Sequence, residues 1–186
     1  MSELPPWPVK PPAAGAVALR AFRPAQDVHM VMDLATDAYV PLIGTLPAFA
    51  DREQAGVWIQ RQLHRWNEGV GFSFAIAEAA TGRAVGAAGL WLADLAYGRG
   101  RAGYAVAPAH RGRGFAVDAL TALTRFAWTL PGLHRVELHI EPWNVGSLRT
   151  AQRAAYAHEG LMRSHQEIGG RRRDMVLHAA VRPSGG

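Results

Sequence analysis

Gly103-Tyr-Ala-Val-Ala-Pro-Ala-His-Arg-Gly-Arg-Gly-Phe-Ala116 is an apolar strand pattern that runs into a basic, glycine-rich turn and then into a helix. Gly112 and Gly114 let backbone N–H groups close on an anion, while Arg111 and Arg113 add charge beside the positive end of the helix that follows. This is the chemistry of a diphosphate site at a helix N-terminus. Two common versions of it fail here. A dinucleotide fold requires G-x-G-x-x-G, but the third glycine position is Val117, and the Gly-Lys-Ser/Thr of a nucleoside-triphosphate loop is absent.

Working outward, Val117, Leu120, Leu123, Phe126, Ala127 and Leu130 fall at helical spacing, which predicts a helix from about 114 to 130, stopped by Pro131-Gly132. Upstream, the segments 72–78 and 84–92 flank the turn Thr81-Gly82-Arg83 as a hairpin. Further out, residues 17–23 alternate as a strand, and Pro24 to Asp27 open a helix expected to run to Tyr39 and end at Pro41. Asp51 with Gln54 forms a capping box for a second helix carrying Val57, Ile59, Leu63 and Trp66. Residues 135–141 alternate as a strand, 144–156 read as a helix, and strands follow at 160–168 and 171–180. The order β-α-α-β-β-β-α-β-α-β-β predicts an α+β fold with a mixed sheet rather than a repeating βαβ array. Residues 1–15 carry five prolines and read as an extended, poorly ordered arm, leaving 16–182 as a single domain.

A chain of 186 residues can bury a core without a staple. The lack of cysteine excludes disulfides, thiolate nucleophiles and Cys-ligated zinc, and the eight histidines show no H-x-x-x-H or H-E-x-x-H spacing, so no metal is expected. No apolar run approaches the ~20 residues of a membrane span. The first residues lack a secretory pattern, which makes the cytoplasm the expected location. The net charge of +5 comes almost wholly from scattered arginine, with Lys10 the only lysine. Only Arg171 to Arg173 is patch-like, so a nucleic-acid partner is disfavoured.

Arg111-x-x-Gly114-x-Ala116 between a strand and a long helix resembles the Q/R-x-x-G-x-G/A acyl-CoA signature of the GNAT acetyltransferase superfamily. Gly103 to Ala119, Asn144-Val-Gly-Ser147 and Ala154-Ala-Tyr-Ala-His-Glu-Gly160 are similar, in order, to the RimJ/RimL branch. The resemblance implies a mostly antiparallel central sheet flanked by helices, in which the strand at 103–106 splays from the strand at 135–140 to form an acyl-CoA slot. It implies that Arg111, Gly112, Arg113, Gly114, Phe115 and Ala116 hold the CoA pyrophosphate through backbone N–H groups. Ala105 and Val106 would pair with the pantetheine, and the N–H near Val106 would polarise the thioester. Asn144 would contact CoA, and Ser147 would lie near its sulfur as the acid for the departing thiolate. The implied activity is acetyl-CoA-dependent transfer of an acetyl group directly to a primary amine, on a peptide N-terminus or a small molecule, and the fold is compatible with a homodimer.

The chain departs from its relatives in two places. The position of their general-acid tyrosine is Ala151, and Tyr156 is expected to pack at the helix end. Where relatives often carry a glutamate before the cofactor strand, this chain has Arg101-Ala102. Glu137 and His139, which share a strand face with Glu141, are then the candidate bases, with Glu78 a more distant one. Trp91 and Trp58 are the candidates for lining the acceptor pocket. A non-catalytic CoA-binding module is the alternative that the missing residues suggest.

Overall fold

The computed structural model describes residues 4–183. Among them, eight strands form one sheet: β1 (Ala13–Ala14), β2 (Val17–Arg20), β3 (Gly71–Glu78), β4 (Ala84–Trp91), β5 (Arg99–Val106), β6 (Arg135–Ile140), β7 (Ala157–Ile168) and β8 (Arg171–Val181). Their spatial order is β1-β2-β3-β4-β5-β6-β8-β7. Every neighbouring pair is antiparallel except β5 and β6. The helices are α1 (Pro24–Leu34), α2 (Val40–Ile43), α3 (Arg52–His64), α4 (Phe115–Ala127) and α5 (Val145–Arg153). The fold is α+β with a mixed, mostly antiparallel sheet, as the element order predicts.

Alternation along the strands sends side chains to two separate cores. On one face α4 buries Phe115, Leu120, Leu123 and Phe126 against Phe72, Phe74 and Leu90. On the other, α1 and α3 pack Val28, Val31, Leu34 and Ile59 over Ala75 and Ala84. The α3 capping box forms as its sequence predicts: the Gln54 N–H donates to Asp51 Oδ1 at 2.8 Å, and the Asp51 N–H donates to Gln54 Oε1 at 3.1 Å.

The helix expected from Pro24 to Tyr39 stops at Leu34. Asp37 accepts from the N–H groups of Tyr39 and Val40, both at 2.8 Å, and so opens a new short helix, α2. Pro41 therefore lies in the first turn of α2, where its missing N–H costs nothing, and does not terminate α1.

The largest difference concerns residues 1–15. From Leu4 onward the expected disordered arm is packed onto the domain. Trp7 lies 5.7 Å from Phe72 and 4.9 Å from Phe74, centroid to centroid. Trp66, just beyond the end of α3, donates from Nε1 to the Pro5 carbonyl at 2.9 Å. The prolines pre-set an extended path rather than forbid structure, and one aromatic anchor between them holds it. Trp7→Ala is expected to lower unfolding stability by about 2–3 kcal/mol, less than a fully buried tryptophan because Trp7 is partly exposed. Urea unfolding measures this, and a change within about 0.5 kcal/mol would show that the arm contributes nothing to the core.

The one parallel pair opens the sheet. Arg99, Gly100 and Arg101 register with Arg135, Val136 and Glu137, and pairing then stops. Beyond that point β5 stays bonded to β4 as far as Val106, and β6 stays bonded to β8 as far as Ile140. A wedge-shaped slot therefore separates residues 102–106 from residues 138–140.

Candidate active site

At the wide end of the slot lies the turn before α4. Gly112 has φ 78° and Gly114, the N-cap of α4, has φ 81°, a region that side chains rarely tolerate. A Cβ placed on either glycine would meet no protein atom within 4 Å. Among the described residues, the N–H groups of Gly112, Arg113, Gly114, Phe115 and Ala116 have no acceptor; the series of helical bonds begins with the Val117 N–H, which donates to the Gly114 carbonyl at 3.0 Å. These five donors border a concavity of about 220 Å³, closed on its far side by Thr150 and Arg153 of α5. Unsatisfied donors at a helix N-terminus, with Arg113 and Arg153 lining the same concavity, make a site for an anion.

Arg111 does something other than its sequence position suggests. Its guanidinium donates to Asp37 Oδ2 at 2.7 Å and, through Nε, to the Val106 carbonyl at 3.0 Å, while its own N–H turns back to Pro108. It clamps the turn onto the segment after α1, and the Ala109 N–H, which donates to Asp33 Oδ2 at 3.1 Å, ties it to the last turn of α1 itself. Arg111 is a strut of the cradle, and the free N–H groups start one residue later.

Strand alternation decides which backbone groups face the slot. The Ala107 N–H donates to the Val85 carbonyl at 2.9 Å, so the N–H groups of Ala105 and Gly103 also point to β4, while those of Val106, Tyr104 and Ala102 point into the slot. The expectation that both Ala105 and Val106 offer backbone to a ligand is corrected: Ala105 is consumed by β4. Val106 and Tyr104 are the groups with free edges.

On the far side of the slot, Glu137 and His139 project from one face of β6. The Arg135 Nε donates to Glu137 Oε1 at 2.6 Å, and His139 Nε2 stands 3.4 Å from Glu137 Oε2. Burial alone would raise the Glu137 carboxyl, but Arg135 and His139 together hold it below the usual range. Burial, and then the charge of Arg101, push the His139 pKa below its ordinary value, so the ring is neutral at neutral pH. His139 Nδ1 is buried with no partner among the described residues. Because Glu137 is ionised and can only accept, the neutral ring carries its hydrogen on Nε2 and donates it to Glu137, which leaves Nδ1 as the basic nitrogen.

Glu137 and His139 line a cavity of about 560 Å³ together with Trp91, Arg65, Arg101 and Tyr39. The Trp91 ring fits because Gly89 and Gly103 lie beneath it; a Cβ on Gly103 would come within 2.8 Å of the indole. Trp58, in contrast, is a core residue, packed edge-on against Phe22 at 5.6 Å. It reaches only an adjoining apolar cavity of about 160 Å³. Glu141 is buried next to Tyr39 and Arg173, and Glu78 accepts from the Thr81 hydroxyl at 2.8 Å in the β3–β4 turn, so neither borders the large cavity.

Asn144 caps α5, its Oδ1 accepting from the Ser147 N–H at 3.1 Å. That bond engages the side chain oxygen and places the half-buried Ser147 in the first turn. The Tyr104 hydroxyl reaches the Ser147 carbonyl at 3.5 Å, bringing β5 and α5 together over the slot. Tyr156 is buried and its hydroxyl lies 2.7 Å from Thr124 Oγ1, which accounts for it as packing. Tyr104, Arg65 and Tyr39 were missed by sequence reading. Tyr104 had a signal, an aromatic at the centre of the cofactor strand; the other two come from elements whose position over the sheet no local pattern reveals.

An anion cradle at a helix N-terminus, set against a parallel strand pair that splays within an antiparallel sheet, defines an acyl-CoA-handling transferase fold. The chain belongs to the GNAT acetyltransferases: the model of that family described as an acetyltransferase (GNAT) domain matches residues 17–156. By that membership it is an N-acetyltransferase. It is 27% identical over 157 residues to the uncharacterized N-acetyltransferase p20 of Bacillus licheniformis, covering 84% of this chain and 88% of that one. Mycobacterium smegmatis RimJ, solved in complex with a CoA disulfide, superposes with a TM-score of 0.75 at 24% identity, over 92% of this chain and 84% of that one. RimL, a ribosomal L7/L12 α-N-protein acetyltransferase solved with CoA, superposes with a TM-score of 0.74 at 18% identity, over 91% and 97%. Among the described residues, no helix is long and apolar enough to cross a membrane, and no group of three or more metal-ligating side chains comes together.

Proposed function

We propose that the chain transfers an acetyl group from acetyl-CoA directly to a primary amine, with the turn 112–116 as the diphosphate site and the cavity at Glu137 and His139 as the acceptor site. The observation that carries this reading is the run of five unpaired N–H groups at Gly112–Ala116, opening onto a slot edged by the free N–H of Val106. Acetyl-CoA is a substrate here, and the thioester it supplies is the acylating group.

In this reading the Gly112–Ala116 N–H groups and Arg113 bind the diphosphate, and the Tyr104 and Val106 edge aligns the pantetheine by strand-like bonds. The Val106 N–H donates to the thioester oxygen, where negative charge grows as the amine attacks. An ammonium cannot attack, so His139, neutral and oriented by its Nε2–H to Glu137, takes the proton at Nδ1, and the imidazolium so formed stays paired with the Glu137 carboxylate. The N–C bond forms, the C–S bond breaks, and the nitrogen's second proton reaches the leaving sulfur through the Ser147 hydroxyl, which gives its own proton to the sulfur as it receives that one. A thiol with a pKa of about 8.5 is a fair leaving group unaided. Ser147→Ala is accordingly expected to lower kcat by only about tenfold while leaving CoA affinity intact, at the small end of general-acid effects. Steady-state kinetics with CoA titration measure both, and a loss of CoA binding would place Ser147 in the cofactor site instead.

The family permits peptide N-termini and small amines alike, and thiol release from acetyl-CoA with a panel of both tests the activity. Tight CoA binding with no turnover on any amine would favour a non-catalytic module.

A further inference from the structure

Among the described residues, two cations on the acceptor-side cavity, the half-buried Arg65 and the exposed Arg101, have no carboxylate within salt-bridge distance. Arg65, just past α3, is half-buried; its guanidinium lies 5.5 Å from the Trp91 ring centroid and donates weakly to Ser73 Oγ at 3.4 Å. Ser73 in turn donates to Gln62 Oε1 at 3.3 Å, both residues being buried, so a polar relay and an aromatic face fix the direction of this side chain. Among the described residues no carboxylate stands within 4.0 Å of Arg65 or of Arg101, whereas the cavity's other charges are matched: Arg99 with Asp94 at 3.7 Å, and Glu137 with Arg135 at 2.6 Å. A fixed, partly buried guanidinium without a counter-ion is costly unless a ligand supplies the anion.

Resting on the acetyltransferase reading above, we infer that the acceptor is a primary amine that also carries a carboxylate, which Arg65 and Arg101 bind while the amine reaches His139. A polyamine is the wrong substrate for this cavity, because its further ammonium groups would meet two unpaired cations. A free carboxylated amine and a peptide with an acidic residue near its N-terminus share the required chemistry.

The test is kcat/KM by thiol release from acetyl-CoA with matched acceptors. These are small amino carboxylates against their amides, peptides with Asp or Glu against Asn or Gln in the first two positions, and spermidine. The carboxylate forms are expected to be preferred by about 10- to 100-fold, the range of one charge-assisted hydrogen bond. Arg65→Gln and Arg101→Gln should each erode that preference with CoA affinity unchanged, and Arg65→Lys, which keeps the charge, should retain part of it. Preference among the small molecules or among the peptides identifies the source of the carboxylate. Turnover that favours amides or spermidine, or a preference that survives both Gln variants, would overturn the inference and leave the acetyltransferase reading standing. Failure with every amine, despite CoA binding, would overturn both.

Discussion

Gly114→Val is expected to weaken CoA binding by about 100-fold or more, because it removes space and geometry at once. Gly114 has φ 81°, caps α4, and has open space where a Cβ would project. A β-branched side chain there both resists the left-handed backbone and intrudes where the diphosphate must approach. Losing one or two charge-assisted hydrogen bonds, at about 1.5–3 kcal/mol each, accounts for the magnitude. Strain alone would also destabilise the fold, so the control is Gly82→Val in the β3–β4 turn. Gly82 has φ 70° and the same open surroundings but no place in the cradle. Calorimetric titration should show a large affinity loss for Gly114→Val and none for Gly82→Val, with similar falls in Tm. Equal CoA affinity in a folded Gly114 variant would remove the diphosphate from this turn.

His139→Gln should lower kcat/KM by about 100-fold or more, within the range of a positioned base, and should change the shape of the pH profile. The His139 pKa is depressed, by burial first and by Arg101 second. In the wild type, activity is therefore present above that lowered value and lost as pH falls through it, at some point below about 6.5. The variant should lose this acidic limb and follow only the neutral fraction of the amine, rising steadily with pH. CoA affinity should not change. An unaltered acidic limb in His139→Gln would assign the proton to another group, with Glu137 the nearest.

Much of this was legible in the chain because the anion cradle is built from local motifs. A strand, two glycines and a helix start occupy consecutive positions, so Gly112 to Ala116 could be read directly. Asn144 likewise announced a helix cap. What local pattern could not reveal is where a group spends its bonds. Arg111 reads as a phosphate ligand, but Asp37, distant in sequence, takes its guanidinium. Ala105 and Val106 look equivalent as strand residues, and only the pairing of β4 with β5 separates them. Trp58 and Trp91 were equal candidates until the sheet placed one in the core and the other over two glycines. The arm was misread for a related reason: prolines suppress periodicity, so the contact of Trp7 with Phe72 and Phe74 left no pattern to find.

The central claim is that a CoA diphosphate sits on the free N–H groups of residues 112–116 with its pantetheine along the open edge of β5. Backbone amide chemical shifts followed during CoA titration test this directly. The amides of Gly112, Arg113, Gly114, Phe115, Ala116, Tyr104 and Val106 should move most, and those of Gly103 and Ala105, already bonded to β4, should move much less. Shifts centred elsewhere, for instance around Arg23 and His29 on the cavity beside α1, with residues 112–116 unmoved, would contradict it.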